Sequence, residues 1–208
     1  MTQYTFPILR AKGETSALSE YRLESFHWEA AEPYRPAVFF SVFAVNGNGI
    51  YCRARVYEES PRTVCTERDE PVYEDSCLEF FLAPVDGRNE YLNIECNSGG
   101  VFLSQFGASR EGRVFVKELT AEAPAVTPFS GSDTEGSFWG VEICVPEPLI
   151  GALYGIDFSA EPAPVRFNVF KCGDRTSIPH YLAFSPVTAM PPGFHNPECF
   201  ARAHLRFL

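Results

Sequence analysis

Residues 73–107 read YEDSCLEFFLAPVDGRNEYLNIECNSGGVFLSQFG, and their alternation of polar and apolar side chains indicates the fold class. The pattern predicts three short strands joined by turns, because successive side chains of a strand point to opposite faces. In the middle strand, Asn93, Glu95 and Asn97 share one face, and Glu79 alternates with apolar residues in the strand before it. A sheet face that carries amides and carboxylates, with aromatic residues at its rim, is suited to hydrogen-bonding a small polyhydroxylated ligand such as a sugar.

The same alternation recurs along most of the chain and predicts further half-buried strands. These segments are residues 37–45, 49–59, 138–146, 165–173 and 201–208. The Asn-Gly-rich residues 46–49 predict a hairpin turn, and residues 146–155 leave room for one short helical turn. The Pro- and Gly-rich segments 121–136, 146–164 and 185–199 predict connections. We therefore expect a single all-β domain over residues 1–208, an antiparallel β-sandwich with at most short helical turns.

The charge distribution excludes some classes of partner. The net charge is -10 and Lys and Arg form no run, so neither nucleic acid nor an anionic membrane surface is an expected partner. Residues 1–14 lack the long apolar region of a secretory signal peptide. We therefore expect a cytoplasmic protein.

The cysteine pattern predicts neither a zinc ribbon nor a thioredoxin-type site. Seven cysteines are widely spaced, and no C-x-x-C pair occurs. Four of them lie within predicted strands, where a free thiol behaves as a small buried hydrophobe. These are Cys52, Cys77, Cys96 and Cys144. A second set of residues has spacings that match no metal or nucleophile pattern, and we expect its roles to be structural. This set comprises Cys172, Asp174, His180, His195 and Cys199.

Six segments carry a resemblance to a known family by their order and spacing. They read DSCLEFF (75–81), YLNIECNSGG (91–100), GASR (107–110), RFNVFKCGD (166–174), HYLAFSP (180–186) and FHNPE (194–198). Together they resemble the carbohydrate-binding modules of family 9 and their stand-alone relatives, over roughly residues 25–208. The resemblance implies a jelly-roll-like β-sandwich that binds mono- or oligosaccharides and catalyses no reaction. It places Tyr73 and Phe184 at the two positions of an aromatic clamp, where a pyranose ring would stack.

These observations define a set of candidate sugar contacts. They are Tyr73, Glu79, Asn93, Glu95, Asn97, Arg110, Arg166, Asn168 and Phe184. Glu79 is the leading candidate, since a carboxylate accepts charge-assisted hydrogen bonds from hydroxyls. The alternative for Glu79 is a partly buried structural ion pair with Arg166 or another arginine. The calcium sites known in the family do not transfer residue by residue, so calcium is possible by resemblance and no metal or cofactor is assigned.

Two other functions stay open. Neither clamp position is Trp, which favours an interaction or scaffold domain that kept the sandwich and lost the sugar. A glycosidase is the minority hypothesis. Asp75 and Glu79 would lie ~13 Å apart along one strand, too far for a catalytic pair, whereas Glu79 and Glu95 on neighbouring strands can be closer.

Overall fold

The computed structural model describes residues 3–11, 18–25, 34–188 and 193–207. In these ranges the chain forms thirteen strands, two short α-helices and two 3₁₀ turns. The strands are β1 (Gln3–Leu9), β2 (Tyr21–Arg22), β3 (Ala37–Val45), β4 (Gly49–Tyr57), β5 (Cys77–Ala83), β6 (Tyr91–Asn97), β7 (Phe102–Gly107), β8 (Val114–Phe115), β9 (Ala125–Asp133), β10 (Gly136–Pro146), β11 (Pro164–Cys172), β12 (Tyr181–Ala183) and β13 (Ala201–Phe207). The helices are α1 (Val116–Leu119) and α2 (Glu147–Tyr154), and the 3₁₀ turns are Val72–Glu74 and Pro197–Cys199.

The strands form one curled sheet in the order β8-β7-β6-β5-β11-β13-β1-β3-β4-β10-β9, with β12 beside β11 and β2 beside β3. Apolar side chains from both ends of this order, such as Phe80 and Ile94 from one and Val42 and Val141 from the other, meet in one buried core. The architecture is therefore the expected β-sandwich. The antiparallel prediction needs one correction: β1 runs parallel to both β13 and β3, so the sheet is mixed.

Most predicted strands are confirmed. β3 occupies the predicted residues, and β4, β10, β11 and β13 begin and end within two residues of their predicted bounds. Gly47 has a positive φ of 71° in the turn between β3 and β4, which agrees with the predicted hairpin. The short helix α2 lies inside residues 146–155, as expected. No helix within the described ranges is long and apolar enough to cross a membrane.

The prediction that residues 121–136 form a connection was wrong, because they contain β9. Most side chains of β9 are exposed, and the strand includes Pro128 and Gly131, so the alternating pattern of a half-buried strand is missing. Proline and glycine are tolerated there because β9 is the last strand of the sheet order. Its hydrogen bonds to β10, and not its side chains, make it a strand.

The second face of β5, β6 and β11 is buried as well as the face toward the main core. Every residue of β5 and β6 is buried. On this second face, Phe81 and Phe170 belong to a separate apolar cluster with Val187 and Phe200 from the chain between β11 and β13. The segments before β5 and after β11 thus fold over a sheet face that would otherwise meet solvent, and a cavity remains between them.

Candidate functional site

A cavity of about 850 Å³ lies over the second face of β5, β6 and β11. Its lining includes four acidic, two basic and four aromatic residues, together with two amides and an imidazole. These are Asp69, Glu79, Glu95, Asp174, Arg110, Arg113, Tyr73, Phe115, Tyr181, Phe194, Gln105, Asn196 and His195. The volume lies within the usual range for a small-molecule site.

Two carboxyl groups from neighbouring strands lie side by side at the floor of this cavity. Glu79 on β5 and Glu95 on β6 are direct partners in the antiparallel register, and each is only 3% exposed. Glu79 Oε1 accepts a hydrogen bond from Cys172 Sγ at 3.1 Å. Glu95 Oε1 accepts one from Asn93 Nδ2 at 3.0 Å. The two acids are therefore held in place by β11 and β6 themselves.

Burial raises the pKa of both carboxyl groups, because a charged carboxylate loses its hydration. The pKa of Glu79 is raised well above its ordinary value, first by burial and then by the neighbouring Cys172 and Glu95. Burial raises the pKa of Glu95 to about 7, although Arg113 and the Asn93 hydrogen bond act in the opposite direction. The floor thus holds protonatable oxygens that can both donate and accept hydrogen bonds near neutral pH.

His195 closes one side of the floor as a neutral imidazole. Its ring stacks on Phe81 at a centroid distance of 4.8 Å, and its Nδ1 lies 3.0 Å from Tyr91 Oη. Burial and the nearby Arg113 and Arg110 lower the pKa of His195 to about 3. Its Nε2 is 3.9 Å from a Glu95 oxygen. Because the imidazole is neutral at neutral pH, this contact is not a charged pair there.

Aromatic rings form much of the remaining wall. Phe194 lies flat against Phe170 with centroids 4.1 Å apart and an interplanar angle of 14°, and Tyr181 meets Phe194 edge-on at 6.3 Å. Tyr73, in the turn before β5, is 40% exposed. Exposed aromatic surface beside buried polar groups is the combination that a sugar requires, since its ring has an apolar face and a hydroxyl rim.

Comparison with known proteins assigns the chain to a family. The sequence profile described as carbohydrate-binding family 9 matches residues 13–205. The chain belongs to carbohydrate-binding family 9. No curated protein matches it closely enough to count as a relative.

Solved structures agree in fold with this family 9 chain. One is a candidate carbohydrate-binding protein from Bacteroides uniformis, 28% identical, with a TM-score of 0.75 and coverage of 98% of this chain and 97% of the other. A family 9 module from Caldicellulosiruptor kristjanssonii in complex with cellotriose has 11% identity, a TM-score of 0.59 and coverage of 99% and 93%. The module from this organism in complex with glucose has 12% identity, a TM-score of 0.54 and coverage of 100% and 96%.

The structure of this family 9 chain brings several sequence-predicted residues to one cavity. Tyr73, Glu79, Glu95 and Arg110 line it directly. Asn93 is fully buried behind the floor and donates to Glu95, so its contact with the cavity is indirect.

Two predicted amides hold loops instead of lining the cavity. Asn97 Nδ2 donates to Asp75 Oδ2 at 2.9 Å, and both side chains are fully buried. Asn168 Nδ2 donates to the Ser185 carbonyl at 3.1 Å, and Asn168 Oδ1 accepts from the Ser185 amide at 2.9 Å. Each amide therefore satisfies backbone or side-chain groups of a covering segment, which a buried polar residue must do.

Arg166 and Phe184 also lie away from this cavity. Arg166 Nη2 donates to the Arg88 carbonyl at 2.7 Å, and Arg166 lines a different cavity. Phe184 packs in the main core, where its ring meets Phe40 at 4.9 Å and Phe167 at 5.6 Å. Phe184 therefore lies on the opposite side of the sheet from the cavity that Tyr73 lines.

Residues that sequence reasoning did not include complete the cavity. Tyr181, Phe194, Gln105 and Arg113 were not predicted as contacts, and His195 was expected to be structural. One signal was available for Tyr181: β12 alternates, so Tyr181 and Ala183 share a face and Leu182 takes the other. Gln105 lies on β7 and Arg113 directly before β8, while Phe194 and His195 come from the segment between β12 and β13, where the sequence has no periodic pattern.

Proposed function

We propose that this family 9 chain binds a mono- or oligosaccharide in the cavity above β5, β6 and β11, without catalysing a reaction. The observation that carries the proposal is the pair of buried carboxyl groups, Glu79 and Glu95, at the floor of an aromatic-walled cavity. Titratable groups with perturbed pKa values in a cavity of this size are candidates for a functional site. The family assignment supports a sugar as the ligand.

The aromatic walls supply the apolar part of recognition. Tyr73, Tyr181 and Phe194 offer ring surface from three separate segments of the chain. A pyranose ring placed between them gains the contact that the family resemblance assigned to Tyr73 and Phe184. The solved family 9 modules that hold cellotriose and glucose support a ligand with such a ring.

The polar part of recognition comes from the floor and one side. Glu79 and Glu95 accept hydrogen bonds from sugar hydroxyls when ionised and donate one when protonated. Arg110, Arg113 and Gln105 supply donors from the side of β7 and the loop after it. Affinity is modest, because each sugar hydroxyl exchanges hydrogen bonds to water for hydrogen bonds to protein.

The electrostatics argue against glycoside hydrolysis. A glycosidase needs one ionised and one protonated carboxyl group, with pKa values that the site pushes apart. Burial raises the pKa of both Glu79 and Glu95, and the stronger effect falls on Glu79, whose partner is a thiol and not an arginine. Because burial raises the pKa of both acids, neither is held fully ionised at neutral pH as the nucleophile of a retaining enzyme is.

Isothermal titration calorimetry with glucose, cellotriose and a panel of other mono- and disaccharides tests the proposal. Saturable binding is expected with at least one sugar, and it should be lost in Glu79→Gln and in Glu95→Gln. Glu118→Gln, an exposed change on α1, is the matched control and should bind as the unchanged protein does.

Two outcomes contradict the proposal in different ways. A folded protein that binds no sugar of the panel supports the alternative of a scaffold domain, which the absence of Trp at the predicted clamp positions favours. If the protein releases a chromophore from an aryl glycoside and Glu79→Gln abolishes this release, the protein is a glycosidase and not a non-catalytic binding module.

A further inference from the structure

Two cysteines and a glutamate converge at the floor of the cavity without any sequence motif that announces them. Cys77 on β5 and Cys172 on β11 are direct partners in the antiparallel register. Glu79 lies two residues beyond Cys77, on the same face of β5. The two sulfur atoms and a Glu79 oxygen all lie within 4.8 Å of one another, and the three residues are buried.

This arrangement has the dimensions of a tetrahedral metal site. Zinc binds sulfur at about 2.3 Å and carboxylate oxygen at about 2.0–2.2 Å, so tetrahedral ligands lie ~3.5–3.8 Å apart. Cys172 Sγ and Glu79 Oε1 are already 3.1 Å apart. Small side-chain rotations therefore bring the three donor atoms to coordinating distance.

We propose that Cys77, Cys172 and Glu79 bind one divalent ion of the zinc class. Two thiolates select a thiophilic ion over Ca²⁺ or Mg²⁺, which prefer oxygen ligands. Glu79 and Cys172 line the cavity, so the ion has an entry path. The fourth coordination position faces the cavity and is filled by water.

Charged groups of both signs line the cavity around the three ligands. Glu95 and Asp174 favour a cation there, whereas Arg110 and Arg113 oppose one. Lys171 lies beside Cys172 and opposes the cation, but its side chain points to the other face.

Cobalt(II) titration of the fully reduced, metal-free protein tests the site. Thiolate coordination gives an intense sulfur-to-cobalt charge-transfer absorption in the near ultraviolet, which one equivalent of Zn²⁺ should abolish. Cys77→Ser and Cys172→Ser should each lose this absorption. Cys96→Ala, a buried thiol on the opposite face of β6, and Cys199→Ser, a half-buried thiol, are the matched controls and should retain it.

A second measurement needs no variant, in case either serine substitution unfolds the chain. Zn²⁺ should protect Cys77 and Cys172 of the unchanged protein from alkylation in mild denaturant, as mapped by mass spectrometry. Absence of the charge-transfer band in the reduced protein overturns the proposal, and so does protection of other cysteines only. Both experiments omit sugar, so the metal site and the proposed saccharide site succeed or fail separately.

Discussion

Glu79 and Glu95 face each other across β5 and β6, and each residue is only 3% exposed. Two acids placed this close in a buried site normally disfavour each other's ionised form. The two acids have different hydrogen-bond partners, since Glu79 contacts Cys172 and Glu95 contacts Asn93. The pair therefore keeps protons to an unusually high pH, and this affects both stability and ligand binding.

The pH dependence of stability should reflect Glu95. Its pKa is 4.5 ordinarily and about 7 in the folded protein, so the folded state holds the proton more tightly than the unfolded state. The free energy of unfolding should therefore decrease as pH rises from about 4.5 to 7, by roughly 2–3 kcal/mol from this residue. Below about pH 4.5 Glu95 is protonated in both states, so it causes no further change in the free energy of unfolding there. Urea denaturation at several pH values measures it.

The variant Glu95→Gln should flatten this dependence. The amide cannot ionise, so the variant should be more stable relative to the unchanged protein at pH 8 than at pH 4.5. Glu118→Gln, which is exposed, should leave the profile unaltered. If Glu95→Gln loses as much stability with rising pH as the unchanged protein does, Glu95 ionises normally and this account is refuted.

Substitutions of Tyr181 and Phe184 should have different effects, the first on sugar binding and the second on the free energy of unfolding. Tyr181 lines the cavity, so Tyr181→Ala should weaken sugar binding roughly 3–10-fold through lost ring contact. Phe184 belongs to the aromatic core, so Phe184→Ala should lower the free energy of unfolding by roughly 2–4 kcal/mol. Calorimetry and urea denaturation should give opposite rankings for the two variants.

The reverse ranking would support the aromatic clamp predicted at Tyr73 and Phe184. If Phe184→Ala abolishes binding in a folded protein, the ring reaches the ligand in spite of its place in the core. Phe207→Ala, an exposed ring on β13, is the control for a nonspecific effect of removing an aromatic residue.

The alternating pattern of β5 and β6 was enough to place Glu79, Asn93 and Glu95 on a common face. This succeeded because side-chain direction in a strand depends only on residue parity. The pattern could not show that the face is buried, since burial comes from segments distant in sequence. Phe184 illustrates the limit: its aromatic ring fits a clamp by composition, and only the register of β12 shows which side it faces.

Hydrogen-bonding partners were equally hidden. Asn97 and Asn168 look like ligand contacts because amides are expensive to bury, yet each is satisfied by a covering loop. The approach of Cys77 to Cys172 depends on the register between β5 and β11, which no spacing in the sequence encodes.

Asp75 should be a major contributor to stability through the loop that carries Tyr73. Its fully buried carboxylate accepts hydrogen bonds from Arg62 Nη1 at 2.7 Å and from the Val64 and Cys65 amides at 2.9 Å. Asp75→Ala leaves these donors without an acceptor and should cost roughly 3–5 kcal/mol. Urea denaturation measures the cost.

Asp133 provides a matched control at the surface. It pairs with Arg55 at 2.7 Å, the same distance as Asp75 and Arg62, but is exposed. Asp133→Ala should therefore cost at most about 1 kcal/mol, because an exposed ion pair gains little over water. Equal costs for the two variants would show that burial of Asp75 does not set its contribution.

Lys171 and Glu58 should be strongly coupled. Lys171 is fully buried on the core-facing side of β11, with Nζ 3.3 Å from Glu58 Oε2 and 2.6 Å from His180 Nε2. Trp139 Nε1 also donates to Glu58 at 3.1 Å. Lys171→Met or Glu58→Gln alone removes one partner of a buried charged pair, and each should cost roughly 3–5 kcal/mol.

A double-mutant cycle distinguishes a coupled pair from two independent polar residues. Removing Lys171 alone leaves the Glu58 carboxylate buried without its cation, and the second substitution then removes a charge that is already unfavourable. The double variant should therefore be more stable than the two single costs predict, by at least about 1 kcal/mol. Additive costs would mean that Ser76 and Trp139, which donate to Glu58 at 2.9 and 3.1 Å, stabilise the carboxylate without Lys171.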